Sequence, residues 1–366
     1  MVFDEKDFLP AETNAIQKVK KLASRKPRVS IWKISGWVGL IFFLFVAMLG
    51  SKMAVHSATE QRPSLARIKP IVTAVSVDEY FIFLSDIKNV IIFDNGHYVP
   101  AESISYENGF QEIHFVYKGI AYKINNEANN IEIMHGATSY SKTQLLWSTE
   151  YPLGTDLLGR CFYSRIVRGL QLSLIVSLLV SFLTFSIGLL WGAISGCSGG
   201  LVDTIMTRSL DVFSVVPQLL IVILISSFIS SSVIGMILAL GSVSWVRIAR
   251  VIRGATVHHK TKDYFTILSD LGASRLWLIT RHIVPNMTRL AMVNTITLLP
   301  SLVMSEASLS FLGLGLKYPN ASLGSLCSSA LEYIYSSPYL TVIPMIVLIL
   351  LLLSISFVSH GLKEKL

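Results

Sequence analysis

Asp263-Tyr-Phe-Thr-Ile-Leu-Ser-Asp-Leu-Gly272-Ala-Ser-Arg-Leu-Trp-Leu-Ile-Thr-Arg-His-Ile-Val-Pro285-Asn286 is a basic stretch set between two runs apolar enough to cross a lipid bilayer. Its first eight residues put Asp263, Thr266, Ile267 and Asp270 at i, i+3, i+4 and i+7, the spacing of one stripe on a short helix. Gly272 then permits a sharp turn. Leu276, Ile279 and Ile283 predict an apolar face on the helix that follows. A charged, helical elbow between two spans must stand in water, so the stretch reads as a structured loop at a membrane surface.

Working outward, 52% of the 366 residues are hydrophobic and 15% charged, and the mean hydropathy is +0.58. Soluble globular chains rarely reach these values. Runs near the ~20 residues that cross a bilayer as helix are read at 34–50, 170–194, 211–229, 233–249, 290–312 and 339–357. Continuous apolar runs, in place of ten-residue alternation, favour helices over a barrel. The fold class expected is therefore an all-α polytopic membrane protein of about six transmembrane helices.

Lys and Arg orient it. Lys6, Lys18, Lys20, Lys21, Arg25, Lys26, Arg28 and Lys33 crowd the first 33 residues, and eight further bases lie between Arg247 and Arg289 against only Asp263 and Asp270. Positive loops stay in the cytoplasm, and six crossings put both termini and the elbow on that side. The net charge of +8 is thus accounted for by membrane insertion, and no nucleic-acid partner is expected. The expected organisation is a basic cytoplasmic segment at 1–33, a first helix at 34–53, an extracytoplasmic insert at 54–164, and a core at 165–366 with five helices and a cytoplasmic loop at 250–289.

The insert reads as β-rich. Segments 71–77, 90–93, 112–117, 120–124 and 131–133 are β-branched and aromatic, and Asp94-Asn-Gly-His97, Lys118-Gly119 and Asn125-Asn126 punctuate them as turns. Cys161, Cys197 and Cys327 form neither a paired framework nor a ligand spacing.

Three groups of polar residues interrupt the apolar pattern. Tyr151-Pro-Leu-Gly154-Thr-Asp156-Leu-Leu-Gly159-Arg160 precedes the second span, where its charges can pair or snorkel at a membrane edge. Arg208 and Asp211 share a helical face, so they are expected to pair inside the protein, and Pro217 predicts a kink in the third span. Glu306, deep in the fifth span, is expected to face a translocation interface or to glue helices together, with Ser305, Ser308 and Ser310 close by in sequence. No Gly-x-x-x-x-Gly-Lys-Ser/Thr loop occurs: in Gly136-Ala-Thr-Ser-Tyr-Ser-Lys142-Thr143, Ser141 takes the second glycine's place.

The elbow resembles the ATPase-coupling loop of ABC importer permeases, which reads Glu-Ala-Ala, three residues, Gly, nine residues, an apolar residue, one more, an apolar residue and Pro. Gly272, Val284 and Pro285 match in register. Thr266, Ile267 and Leu268 stand in place of the acid and two alanines, and His282 in place of the first apolar residue. Pro152-Leu-Gly-Thr-Asp156 with Gly159-Arg160, and Glu306-Ala-Ser-Leu-Ser-Phe-Leu-Gly-Leu-Gly315, are similar to the dipeptide/oligopeptide branch of the binding-protein-dependent transport inner-membrane component family, with Cys161 replacing an Asp. The resemblance covers about residue 152 onward and implies a permease in a bacterial inner membrane forming half of a peptide pathway. It also implies a homologous second permease, two cytoplasmic ATPase subunits that bind ATP and Mg, an extracytoplasmic solute-binding protein and no cofactor in this chain. On it, Asp263, Thr266, Ile267, Asp270, Gly272 and Pro285 couple to the ATPase. Asp156, Gly159 and Arg160 belong to an external entry segment, and Glu306, Arg208, Asp211 and Pro217 line the pathway or pair helices. The alternative is a proton-coupled secondary transporter using Glu306. A membrane-anchored sensor would leave the later spans and the elbow unexplained.

Overall fold

A computed structural model describes residues 31–107, 111–127, 130–229, 232–316 and 319–363. The basic arm at 1–33, up to position 30, and the tail after position 363 lie outside the described residues. Helix α1 (Ile31–Met53) contains the first expected span. Its Gly36 and Gly39 let it press against Phe357 and Ser354 near the other end of the chain, while Trp37, Ile41, Phe45 and Met48 remain exposed. That split suits a peripheral helix with one face toward lipid.

Ten strands follow. β1 (Ile71–Val77), β2 (Tyr80–Leu84), β3 (Val90–Asp94) and β4 (His97–Pro100) form an antiparallel meander. The chain then builds a second meander from β5 (Ser103–Glu107), β6 (Glu112–Tyr117), β7 (Ile120–Glu127), β8 (Asn130–His135) and β9 (Thr138–Tyr140). β10 (Thr143–Trp147) returns to pair with β1, Ile71 opposite Trp147, so both sheets have five strands. The hairpins at Asp94–His97 and Lys118–Gly119 fall where the sequence put them. Asn125 and Asn126 do not: they pair within β7, opposite Glu132 and Ile131, and the reversal comes after Glu127. Turn-prone residues yielded here to a cross-strand register set by Ile124 opposite Ile133.

Strand alternation gives the first sheet two buried faces. Val75, Val77, Ile82 and Ile92 meet Ile113, Phe115, Tyr122 and Ile124 of the second sheet. On the opposite face Val72, Ala74, Phe83, Ile91 and Tyr98 pack on Leu65, Ile68, Tyr151 and Cys161, the residues that lead into the helical core. Full burial of each such side chain contributes about 1.5–3 kcal/mol, so the insert carries a core of its own.

Helix α2 (Phe162–Ser198) is the axis of the remainder. After it come α3 (Gly200–Val215), α4 (Gln218–Phe228), α5 (Val233–Lys260), α6 (Asp263–Asp270) and α7 (Arg275–Leu278). A π-helical turn at Ile279–Ile283 leads into α8 (Val284–Phe311), followed by α9 (Leu323–Ala330) and α10 (Tyr339–Lys363). On α2, Gly188, Gly192 and Gly196 line up one turn apart against α5. A Cβ at these positions would stand 2.7 Å from Ile248 Cβ, 2.5 Å from Ala249 O and 2.7 Å from Thr256 Cβ respectively. Small residues in this register let two backbones approach, the main source of helix adhesion where lipid removes the hydrophobic drive.

Among the described residues five helical stretches are long and apolar enough to cross a membrane, and a sixth crossing exists only if α3 and α4 count as one. The continuous third span expected at 211–229 is thereby corrected. α3 and α4 meet at 88°, with Val216 at φ −91°, ψ 134°. Proline lacks an N–H and drives its predecessor out of the helical region, so Pro217 breaks the helix where a kink was expected. α4, 11 residues long, spans only about 16 Å at 1.5 Å per residue.

Candidate functional site: a helical elbow and two buried carboxylates

The elbow is built as two short helices around a turn. Asp263 opens α6, where a carboxylate favours the positive helix end. Phe265 is buried, whereas Asp263, Thr266, Ile267 and Asp270 are all exposed on the other side, the stripe read from their spacing. Gly272, at φ +84°, ends the helix: its N–H donates to Ser269 O at 3.0 Å and the Ala273 N–H to Leu268 O at 3.1 Å. This pair of reversed bonds caps a helix through a left-handed residue. Ser274 Oγ accepts from the Trp277 N–H at 3.3 Å and starts α7. Pro285 lies just after the π turn inside one continuous helical stretch, Arg275–Phe311, where a residue without an N–H interrupts the backbone ladder.

The apolar face of the second helix differs from expectation. Ile279 and Ile283 are buried, joined by Leu278 and Met287, but Leu276 is 72% exposed. The π turn adds a residue to the repeat and rotates Leu276 away. Leu276 thus joins Ile267, Leu271 and Trp277 as an outward apolar group of the elbow, which also exposes Asp263 and Asp270.

Three helices are tied together near the elbow. Arg253 on α5 grips Asp203 on α3 with two bonds, Nε to Oδ1 at 2.6 Å and Nη2 to Oδ2 at 2.7 Å. Ser195 Oγ on α2 donates to the same carboxylate at 2.6 Å. Lys260 Nζ donates to Cys197 O at 3.0 Å. Fifty positions separate the ion pair in the chain, so no local spacing announced it. The pair the spacing did announce, Arg208 with Asp211, is corrected: it is long at 3.5 Å, with side chains 79% and 45% exposed. Arg250 also reaches Asp211 at 3.5 Å.

At the far end of α2, Asp156 is 3% exposed and fully bonded. Its Oδ1 accepts from the Leu158 and Arg160 N–H groups, each at 2.9 Å, and its Oδ2 from Arg160 Nε at 2.7 Å and from Arg165 Nη1. Gly159 has φ +69° and abuts the Arg62 carbonyl so closely that a Cβ would overlap it. The turn also fastens the insert to the helices. Thr155 Oγ1 accepts from the Ile68 N–H at 2.9 Å, and Tyr339 OH, at the start of α10, donates to Ile68 O and Thr155 O at 2.9 and 2.7 Å. Asp156, Gly159 and Arg160, assigned by resemblance to an external entry segment, form a tightly packed joint between the insert and the helices.

Glu306 is 0% exposed inside the chain. Ser173 Oγ on α2 donates to its Oε2 at 2.7 Å and Ser310 Oγ to its Oε1 at 2.9 Å. Of the three serines expected to satisfy it, only Ser310 does; Ser305 and Ser308 donate to Ser301 O and Met304 O, each at 2.8 Å. Gly324 at the start of α9 lies against the Ala307 backbone, so the carboxylate stands where α2, α8 and α9 converge. Of the two positions expected for Glu306, a translocation interface or a place between helices, the described contacts correspond to the second.

Cys161, Cys197 and Cys327 are buried and free. Among the described residues, Glu107, Glu112 and His114 have ligand atoms within 4.8 Å of one another on the edge of the second sheet. Lys123 Nζ already holds Glu112 Oε2 at 2.7 Å, which makes this an ion-pair cluster.

Residues 188–366 match the family model described as binding-protein-dependent transport system inner membrane component. The chain is 34% identical over 215 residues to a dipeptide transport system permease protein of Lactococcus lactis, covering 59% of this chain and 63% of that protein. It is 35% identical over 213 residues to an oligopeptide transport system permease protein of Haemophilus influenzae, covering 58% and 68%. With a Bacillus subtilis oligopeptide transport system permease protein it shares 33% over 238 residues, 64% of this chain and 78% of the relative. The family-model match begins inside α2, after the β-rich insert, and takes in the bent α3–α4 pair, the elbow and Glu306. The chain belongs to the family of binding-protein-dependent transport system inner-membrane components.

Proposed function

We propose that this chain is one of two transmembrane permease subunits of an ATP-binding cassette importer for peptides, and that the segment from Asp263 to Pro285 couples it to separate ATPase subunits. The observation that carries this reading is the elbow: four apolar side chains and two acids exposed on a helix pair whose other face packs on α2, α5 and α8. An ATPase cleft closing on that surface would move α5 and α8 as bodies, because Phe265, Leu278, Ile279 and Ile283 share one core with Leu189, Ile248 and Ile252. Asp263 or Asp270 takes over the polar contact that the family's acid makes at the position of Thr266. ATP and Mg then belong to the partner subunits, and a solute-binding protein delivers peptide from the side of the insert.

The Lys and Arg distribution supports a cytoplasmic elbow and cytoplasmic termini, with the insert on the opposite side. The geometry does not favour the proton-coupled alternative, since Glu306 is enclosed by hydroxyls of its own chain.

The test is Gly272→Pro in the assembled transporter. Proline fixes φ near −65° where the chain needs +84°, and it removes the N–H that bonds Ser269 O. ATP hydrolysis by the co-purified complex should persist while peptide uptake falls at least tenfold. Undiminished uptake would sink the coupling role.

A further inference from the structure

Two arginines on α5, Arg247 and Arg250, lie three residues apart on the face opposite Ile248 and Ala249, which are buried against α2. Both are exposed in the single chain. Charge on a spanning helix is costly against hydrocarbon and by default meets protein or a water-filled path. Here the arginines open onto a cleft of about 470 Å³ between α5 and the break at Pro217, lined also by Ser214, Gln218 and Ser244. That volume lies in the range of small-solute sites. Discontinuous helices are where many transporters place such sites.

The two arginines are not equivalent. Arg250 Nη2 donates to Ser214 Oγ at 2.8 Å and lies 3.5 Å from Asp211 Oδ1, so its charge is partly answered. Arg247 has no hydrogen-bond or ion-pair partner among the described residues. Gln218 Nε2 donates to Ser244 Oγ at 3.1 Å, which stiffens the wall between the break and α5. The cleft therefore carries one guanidinium in excess, with a planar fork suited to a carboxylate.

We propose that this cleft is a transit subsite for the carboxylate end of the transported solute and that Arg247 receives it. The inference rests on the permease reading and names the chemical group that the pathway recognises. A linear peptide has an ammonium at one end and a carboxylate at the other, and a cleft with net positive charge selects the second. Arg250 assists, held in place by Ser214 and Asp211.

The experiment uses the complete transporter with its binding protein, in proteoliposomes, and a radiolabelled tripeptide with a diazirine side chain on its C-terminal residue. During ATP-driven uptake, illumination should cross-link the peptide to residues 213–218 or 243–251 of this chain. Arg247→Gln should lower uptake at subsaturating peptide about tenfold, as loss of a charge-assisted hydrogen bond does, and Arg247→Lys should recover part of it. Cross-links confined to other segments overturn the proposal, as does unaltered uptake by Arg247→Gln. The wild-type cross-linking pattern decides the matter alone where the Gln variant does not assemble. A wild-type complex that hydrolyses ATP yet takes up no peptide would overturn the permease reading, and the subsite with it.

Discussion

Asp156 and Glu306 are carboxylates shut away from solvent at two levels of the molecule, and they are held by opposite means. Asp156, at the joint between the β-rich insert and the helices, is neutralised by Arg160 and Arg165 and accepts two backbone N–H groups. Glu306, among the helices, receives hydroxyl hydrogen bonds from Ser173 and Ser310. At the joint the carboxylate, two guanidiniums and a positive-φ turn form one unit that fails if a member is removed. Among the helices no described residue commits a countercharge to Glu306, so the same hydroxyls can serve a charged or a neutral partner. A buried ion pair is costly to break, whereas a hydroxyl-lined site tolerates an isosteric change.

The largest effect that would test this contrast comes from Asp156→Ala. It leaves two arginines at a buried joint without their counterion and should cost about 3–5 kcal/mol. Unfolding of the purified complex, or protease sensitivity between the insert and α2, would register it. A variant as stable as wild type would mean that the joint does not depend on its charges. Glu306→Gln sits next in size, at about 1 kcal/mol, because an amide can donate to the serine hydroxyls that now donate to the carboxylate. Peptide uptake at matched protein level should remain near wild type. Its abolition in a well-folded variant would erase the contrast and return Glu306 to the transport mechanism.

The smallest effect lies within the insert. The Lys118 ammonium, bonded to Asp94 at 2.7 Å, and the Tyr117 hydroxyl hold the Asp94 carboxyl below its ordinary range. A carboxyl whose folded pKa is depressed stabilises above its unfolded pKa and loses that contribution as pH falls through the folded value. Hydrogen exchange of the β3–β4 hairpin in the whole protein should therefore quicken as pH drops below the usual carboxylate range, after correction for intrinsic rates. Asp94→Asn should flatten that dependence. An unchanged profile would show that this surface pair contributes nothing measurable, as many exposed pairs do.

Legibility followed the range of the interaction. The stripe of Asp263, Thr266, Ile267 and Asp270 and the turn at Gly272 were readable because they depend on residues within two helical turns. β1 and β6 coincided with their β-branched runs. The bend at Pro217 was visible in kind, though its size depended on Val216 adopting an extended conformation. Leu276 was misplaced because nothing local announces a π turn. The Gly188, Gly192 and Gly196 ladder has a recognisable i, i+4 spacing and was legible in principle. Asp203 with Arg253 and Glu306 with Ser173 were not, since each partner lies on another helix.

By itself, the sequence determined that the chain crosses a membrane several times, that a β-rich insert interrupts it after the first helix, and that a capped elbow joins two later spans. Hydrophobic length, alternation and capping are properties of contiguous residues, so they survive without a fold. Only the tertiary structure decided which charges are paired, that Glu306 is enclosed and Asp156 locked, and that Arg247 is left facing a cleft. Those outcomes turn on which helix faces meet, and that is set by close approach at the glycines and by the cost of leaving a polar group unpartnered away from water.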